Sequence, residues 1–193
     1  MSARRYRPAL VGSTVLANGL VLIGATQPWF QVALTEGVQL SVDGGTAAPS
    51  LTALALAGIA LAAALALAGA RLRPALAIVQ LALGAVALAA GIRAVLEPLT
   101  ASASAIGEAS GITGEQSQAE LVVSLTVTAW PWLAIAGAAL ACLTGLAVLV
   151  TSRHWPSGSR RYEARAGAAP AGATQVGDWD ALSEGRDPTD SGR

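Results

Sequence analysis

The side chains that could do chemistry in this sequence are few and far apart. There is one histidine, His154, and one cysteine, Cys142. A structural zinc site takes about four Cys or His ligands, and these two cannot supply it. Cys142 lies in an apolar run, where a small thiol packs like an aliphatic side chain, and His154 reads as an interfacial side chain. The acids Glu36, Asp43, Glu97, Glu108, Glu115 and Glu120 are scattered, and the chain contains no Lys. Their spacing gives no carboxylate pair and no nucleophile beside a base. The expectation is a protein with no catalytic residue, no metal and no cofactor.

Polar groups inside apolar runs are the next candidates. Asn18 and Gln80 stand in long uncharged stretches, where an amide either bonds between helices or lines a substrate path. Gly137, Ala141 and Gly145 recur every fourth residue and form a smooth strip on one face of a helix. Such strips let backbones approach closely, so large side chains are expected to be excluded there but tolerated at Val148, already large.

These residues need elements to position them, and the composition says which. Hydrophobic residues make up 53% of the 193 and charged residues 12%, against about 25% charged in an average soluble domain. The twelve acids balance twelve bases, all Arg, so net charge singles out no partner and no nucleic acid is expected. Four stretches free of Asp, Glu and Arg run over 8–35, 44–70, 74–92 and 121–152. Each provides the roughly 20 apolar residues that a spanning helix needs. The spans are expected near 9–26, 51–70, 75–96 and 132–151, joined by outer loops at 27–50 and 97–131. The first run exceeds the 7–15 residues of a signal-peptide core and no A-x-A site follows it. The second and third form an antiparallel hairpin through Arg71-Leu72-Arg73-Pro74.

Arginine placement orients the spans. Arg4, Arg5 and Arg7 precede the first, Arg71 and Arg73 join the second and third, and Arg153, Arg160, Arg161 and Arg165 follow the fourth. By the positive-inside rule both termini are cytoplasmic. Trp29, Phe30, Trp130 and Trp132 then fall at the outer boundary, and Tyr6 and Trp155 at the inner one, where aromatic rings anchor in the headgroups.

Beyond the membrane, Val32 and Leu34 alternate with polar or small residues, as do Val38, Leu40 and Val42, about a turn at Glu36-Gly37. That is a hairpin signal. Leu121, Val123, Leu125 and Val127 alternate too, favouring a third strand over an extension of the fourth helix. Residues 100–118, rich in Ser, Ala and Gly, read as a mobile loop or short helix without a site. The fold class is therefore an all-α integral membrane protein of four transmembrane helices with a small extracytoplasmic β-hairpin or three-stranded sheet. Residues 1–155 make the membrane domain, and 156–193 a disordered cytoplasmic tail. In that tail Trp179 and Leu182 share one face of a possible helical turn with Asp180 beside them, a candidate partner-binding segment.

Several of these segments resemble one family. The Gln27-Pro28-Trp29 exit of the first helix, the Ala48-Pro49-Ser50-Leu51 start of the second, the Ser152-Arg153-His154-Trp155-Pro156 exit of the fourth and the Trp179-Asp180-Ala181-Leu182 tail ending Asp187-Pro188-Thr189 are similar to the tryptophan biosynthesis-associated membrane proteins of actinobacteria. The tail departs from that pattern with Gly177-Asp178 before Trp179, where Pro is expected. The resemblance implies a bacterial plasma membrane and a tryptophan-pathway neighbourhood, with no catalytic residues to carry over. An accessory or adaptor protein is the first expectation, binding the lipid bilayer and a cytoplasmic protein through the tail. A small transporter or transporter subunit for tryptophan or a related metabolite is the second; four spans are few for a carrier unless it forms a homo-oligomer.

Overall fold

The structure, a computed structural model, describes residues 6–35 and 37–152. Four helices are long and apolar enough to cross a membrane, and proline sets where several of them begin. α1 spans Tyr6–Ala25 and ends three residues before Pro28. α3, Ser50–Leu67, follows Pro49. α4, Arg73–Leu96, and α7, Trp130–Thr151, each carry proline in the first turn, where the missing N–H leaves no bond unmade. The observed spans agree with the expected ones to within three residues.

Between the spans lie shorter elements. β1 (Pro28–Leu34) and β2 (Gln39–Asp43) form the expected hairpin, with Gly37 at φ +78 in the connection, a backbone that glycine adopts without strain. α2 (Gly44–Ala47) follows, its Thr46 N–H donating to Asp43 Oδ1 at 2.7 Å. Residues 98–121 form two helices, α5 (Pro98–Ser110) and α6 (Glu115–Leu121). β3 (Val122–Val127) then pairs antiparallel with β1, completing a three-stranded sheet in the order β2-β1-β3. The third strand is real, and the fourth span does not extend back into it.

α1 packs on α3 and α7, and α4 packs on the same two helices, so the spans close a ring in the order α1-α3-α4-α7. Glycine allows the close approaches. A Cβ on Gly24 would lie 2.8 Å from Ala134 Cβ, on Gly84 2.9 Å from Cys142 N, and on Gly145 2.9 Å from Leu81 N. Real Cβ atoms do not come so near, so these helices meet nearly backbone to backbone.

The sheet is tied to one end of the ring. Trp29 and Phe30 are both fully buried, although neighbours on a strand should face opposite ways. A register shift between Pro28 and Phe30 turns both inward. Their rings meet edge to face at 6.3 Å and 87°, and Trp29 Nε1 donates to Gly24 O at 2.8 Å. That carbonyl, in the last turn of α1, also accepts from Gln27 N–H at 3.3 Å, so the indole supplies its second and shorter bond. The reading of Trp29 and Phe30 as headgroup anchors is therefore corrected: they are the core joining sheet to bundle. Trp130 and Trp132 stay 39% and 58% exposed, as anchors would.

At the opposite, hairpin end, Arg73 is 2% exposed and its Nε donates to Ala68 O at 3.0 Å. It closes the turn between α3 and α4 by holding a carbonyl at the end of α3, where a cation also suits the helix dipole.

Candidate functional site

Among the described residues, the middle of the bundle, between buried Arg73 and Ser152 at the hairpin end and the sheet, is apolar except in one layer. A large hydrophobic cluster lies under the sheet, including Trp29, Phe30, Leu51 and Ala138. A smaller one at the hairpin end joins Leu65, Ala77 and Val148. Between them sit Thr14, Asn18, Gln80 and Thr144, all at most 4% exposed. Gly58 makes room for Asn18, and the approach of Gly145 to Ala77 and Leu81 sets Thr144 at the height of Gln80.

The polar groups of this layer mostly bond their own helices. Thr14 Oγ1 donates to Leu10 O at 2.9 Å, Asn18 Nδ2 to Thr14 O at 2.8 Å and Thr144 Oγ1 to Ala141 O at 3.0 Å. Asn18 is thus bonded within α1. Gln80 differs: it is fully buried, and neither Nε2 nor Oε1 has a partner among the described residues. An unpaired buried amide costs about 1–3 kcal/mol. Gln80→Met keeps the shape and removes the amide, so it is expected to raise the melting temperature in detergent; a fall would mean that the amide is bonded in the membrane.

Gly137, Ala141 and Gly145 line the buried side of α7, but the strip serves two neighbours. Gly137 faces Ala17 and Val21 of α1, whereas Gly145 faces Ala77 and Leu81 of α4. Val148 is fully buried at the hairpin end, so it is no neutral site for enlargement. Trp179, Asp180 and Leu182 lie outside the described residues, as do His154 and Trp155.

On the sheet side, two clefts meet where α4 passes into α5. One, of about 520 Å³, is lined by Leu96, Leu99, Val122 and Leu125 with Glu97, Thr100 and Glu115. The other, of about 260 Å³, is lined mainly by alanines with Arg93, Glu97 and Thr100. Arg93 Nε lies 3.3 Å from Glu97 Oε2, and Thr100 Oγ1 donates to Glu115 Oε1 at 3.2 Å. Arg93, Glu97 and Thr100 are close in sequence, whereas Glu115 and the β3 residues Val122 and Leu125 reach the clefts from separate elements. Among the described residues no group of three His, Cys, Asp or Glu side chains could hold a metal ion.

The comparison with protein families decides the broader class. The model of the tryptophan-associated transmembrane protein family matches residues 11–189. The chain belongs to that family. The match begins within α1 and takes in the other three spans, the sheet and the segment containing Trp179, Asp180 and Leu182, so this family member is an integral membrane protein. No match was found among curated proteins or among solved structures.

Proposed function

We propose that the protein is a non-catalytic accessory of the bacterial plasma membrane, associated with tryptophan biosynthesis and acting by binding partners at its two faces. The observation that carries this reading is the backbone-to-backbone contact of the helices at Gly24, Gly84, Gly137 and Gly145. Helices so close leave a solid bundle, and the described interior between Arg73 and Arg93 has amides and hydroxyls but no ionisable pair to couple an ion. The sheet, held by Trp29, makes a firm platform whose open side presents Gln31, Gln39, Ser41, Ser124 and Thr126. The tail residues Trp179, Asp180 and Leu182 supply the second contact, on a cytoplasmic protein. Removal of residues after Ala173 should leave insertion unchanged and abolish capture of that protein, with Trp179→Ala losing most of it. Equal capture by the truncated chain would overturn the reading.

The arginine distribution supports both termini in the cytoplasm and the sheet outside. Reporter fusions at Gly37 and Gly111 should report the outer side and a fusion at Gly167 the cytoplasm; a cytoplasmic signal from Gly111 would reverse the frame. A second reading, a transporter subunit for tryptophan or a related metabolite, is favoured by the unpaired amide of Gln80 inside the bundle. Deletion of the protein in its source bacterium separates the two. Tryptophan auxotrophy with normal uptake of tryptophan analogues supports the accessory, and altered uptake supports the transporter.

A further inference from the structure

The larger cleft on the sheet side has an uneven charge balance. Arg93 and Glu97 form the only ion pair among the described residues, with side chains 77% and 50% exposed. Glu115 accepts a bond from the neutral Thr100 hydroxyl and faces no paired cation there. One carboxylate is therefore in excess over a wall of Leu96, Leu99, Val122 and Leu125. A metal ion does not suit it, because hard cations gather six or more oxygen ligands and the wall is hydrocarbon. A primary ammonium does suit it. It has three donors, and the cleft offers the Glu97 and Glu115 carboxylates and the Thr100 hydroxyl as acceptors. Beside Glu97, in the adjoining cleft, Arg93 carries a planar fork that matches a carboxylate. At about 520 Å³ the space falls within the roughly 300–1,000 Å³ of small-molecule sites.

We propose that this cleft binds a free α-amino acid with an apolar side chain. Its ammonium lies between Glu97 and Glu115, its carboxylate turns to Arg93, and its side chain rests on Leu99, Val122 and Leu125. An aminophospholipid headgroup carries the same pair of charges. The free molecule fits better because Val122 and Leu125 belong to the sheet, eight and five residues ahead of the last span, whereas a lipid's hydrocarbon stays among the spans. The site stands apart from the accessory role and from the tail.

The test uses the full chain in nanodiscs of phosphatidylcholine and phosphatidylglycerol, with labelled L-phenylalanine in equilibrium dialysis. Saturable binding is expected, phenethylamine should compete less well than the amino acid, and 3-phenylpropionate, which lacks the ammonium, should not compete. A charge-assisted hydrogen bond is worth about 1.5–3 kcal/mol, so Glu115→Gln should weaken binding about tenfold or more. Glu108→Gln, outside the cleft, should leave it unchanged. Glu97→Gln provides a second variant should the first not fold. Absence of saturable binding, equal affinity in Glu115→Gln and Glu97→Gln, or equal competition by 3-phenylpropionate would overturn the proposal. So would loss of binding when phosphatidylethanolamine is added to the nanodisc, which would make the cleft a lipid site. Loss of partner capture on tail truncation would not alter any of these results.

Discussion

Trp29→Ala is expected to cost about 3–5 kcal/mol of stability, the range for truncating a buried aromatic side chain. The ring has no exposed surface, packs edge to face on Phe30 and donates to Gly24 O at 2.8 Å. Removing it opens the joint between sheet and bundle and leaves that carbonyl with only the longer bond from Gln27 N–H. Trp132 provides the comparison, because it is of the same type and 58% exposed; Trp132→Ala should cost much less. Thermal unfolding of the purified proteins in one detergent reads the difference. Equal losses would place Trp29 in the headgroup layer with Trp132.

The second large effect is expected along α7. Gly137→Leu and Gly145→Leu each put a branched side chain where even a Cβ would come within 2.9 Å of neighbouring backbone. Overpacking a core costs about 1–3 kcal/mol where side chains can shift, and here the obstacle is backbone, which cannot. Little or no monodisperse protein should be recovered. Ala136 is exposed on the same helix, so Ala136→Leu should be recovered as well as the parent. Because the two glycines face different helices, Gly137→Leu should part α7 from α1 and Gly145→Leu should part it from α4. Disulfide trapping between paired cysteines across each contact distinguishes these outcomes, and full recovery of both variants would mean that the strip faces lipid.

How much of this was legible in the sequence depends on the range over which each signal acts. Spans are local: a long uncharged run must be helical in hydrocarbon, and Pro74 and Pro131 mark starts by a missing N–H. The strand at Val122–Val127 was legible too, since alternation survives in so short a segment. Residues 100–118 were not, because Ser, Ala and Gly give no period; α5 is held in part by burying Ile106 and Ser102, which only the fold reveals. Trp29 misled for a physical reason. An amphipathic ring at a helix end reads alike whether its N–H meets a headgroup or the carbonyl of Gly24. The cleft was invisible for want of proximity, as Glu97, Glu115 and Leu125 converge from separate elements. Gln80 was legible as a buried amide, but its lack of a partner was not.

The central strand of the sheet carries a consequence for how the protein is made. β1 lies near the start of the chain, and its second edge is covered by β3, which is synthesised just before the last span. The Thr128 hydroxyl donates to the carbonyl of Pro28 across 100 residues of sequence. Until β3 has been made, one side of β1 displays bare amides and carbonyls, the kind of edge that recruits stray strands. Closure of the sheet therefore waits on synthesis of β3, directly ahead of the fourth span. A nascent chain stalled before Val122 would leave β1 as an edge strand, whereas in the complete chain the edges are the outer sides of β2 and β3.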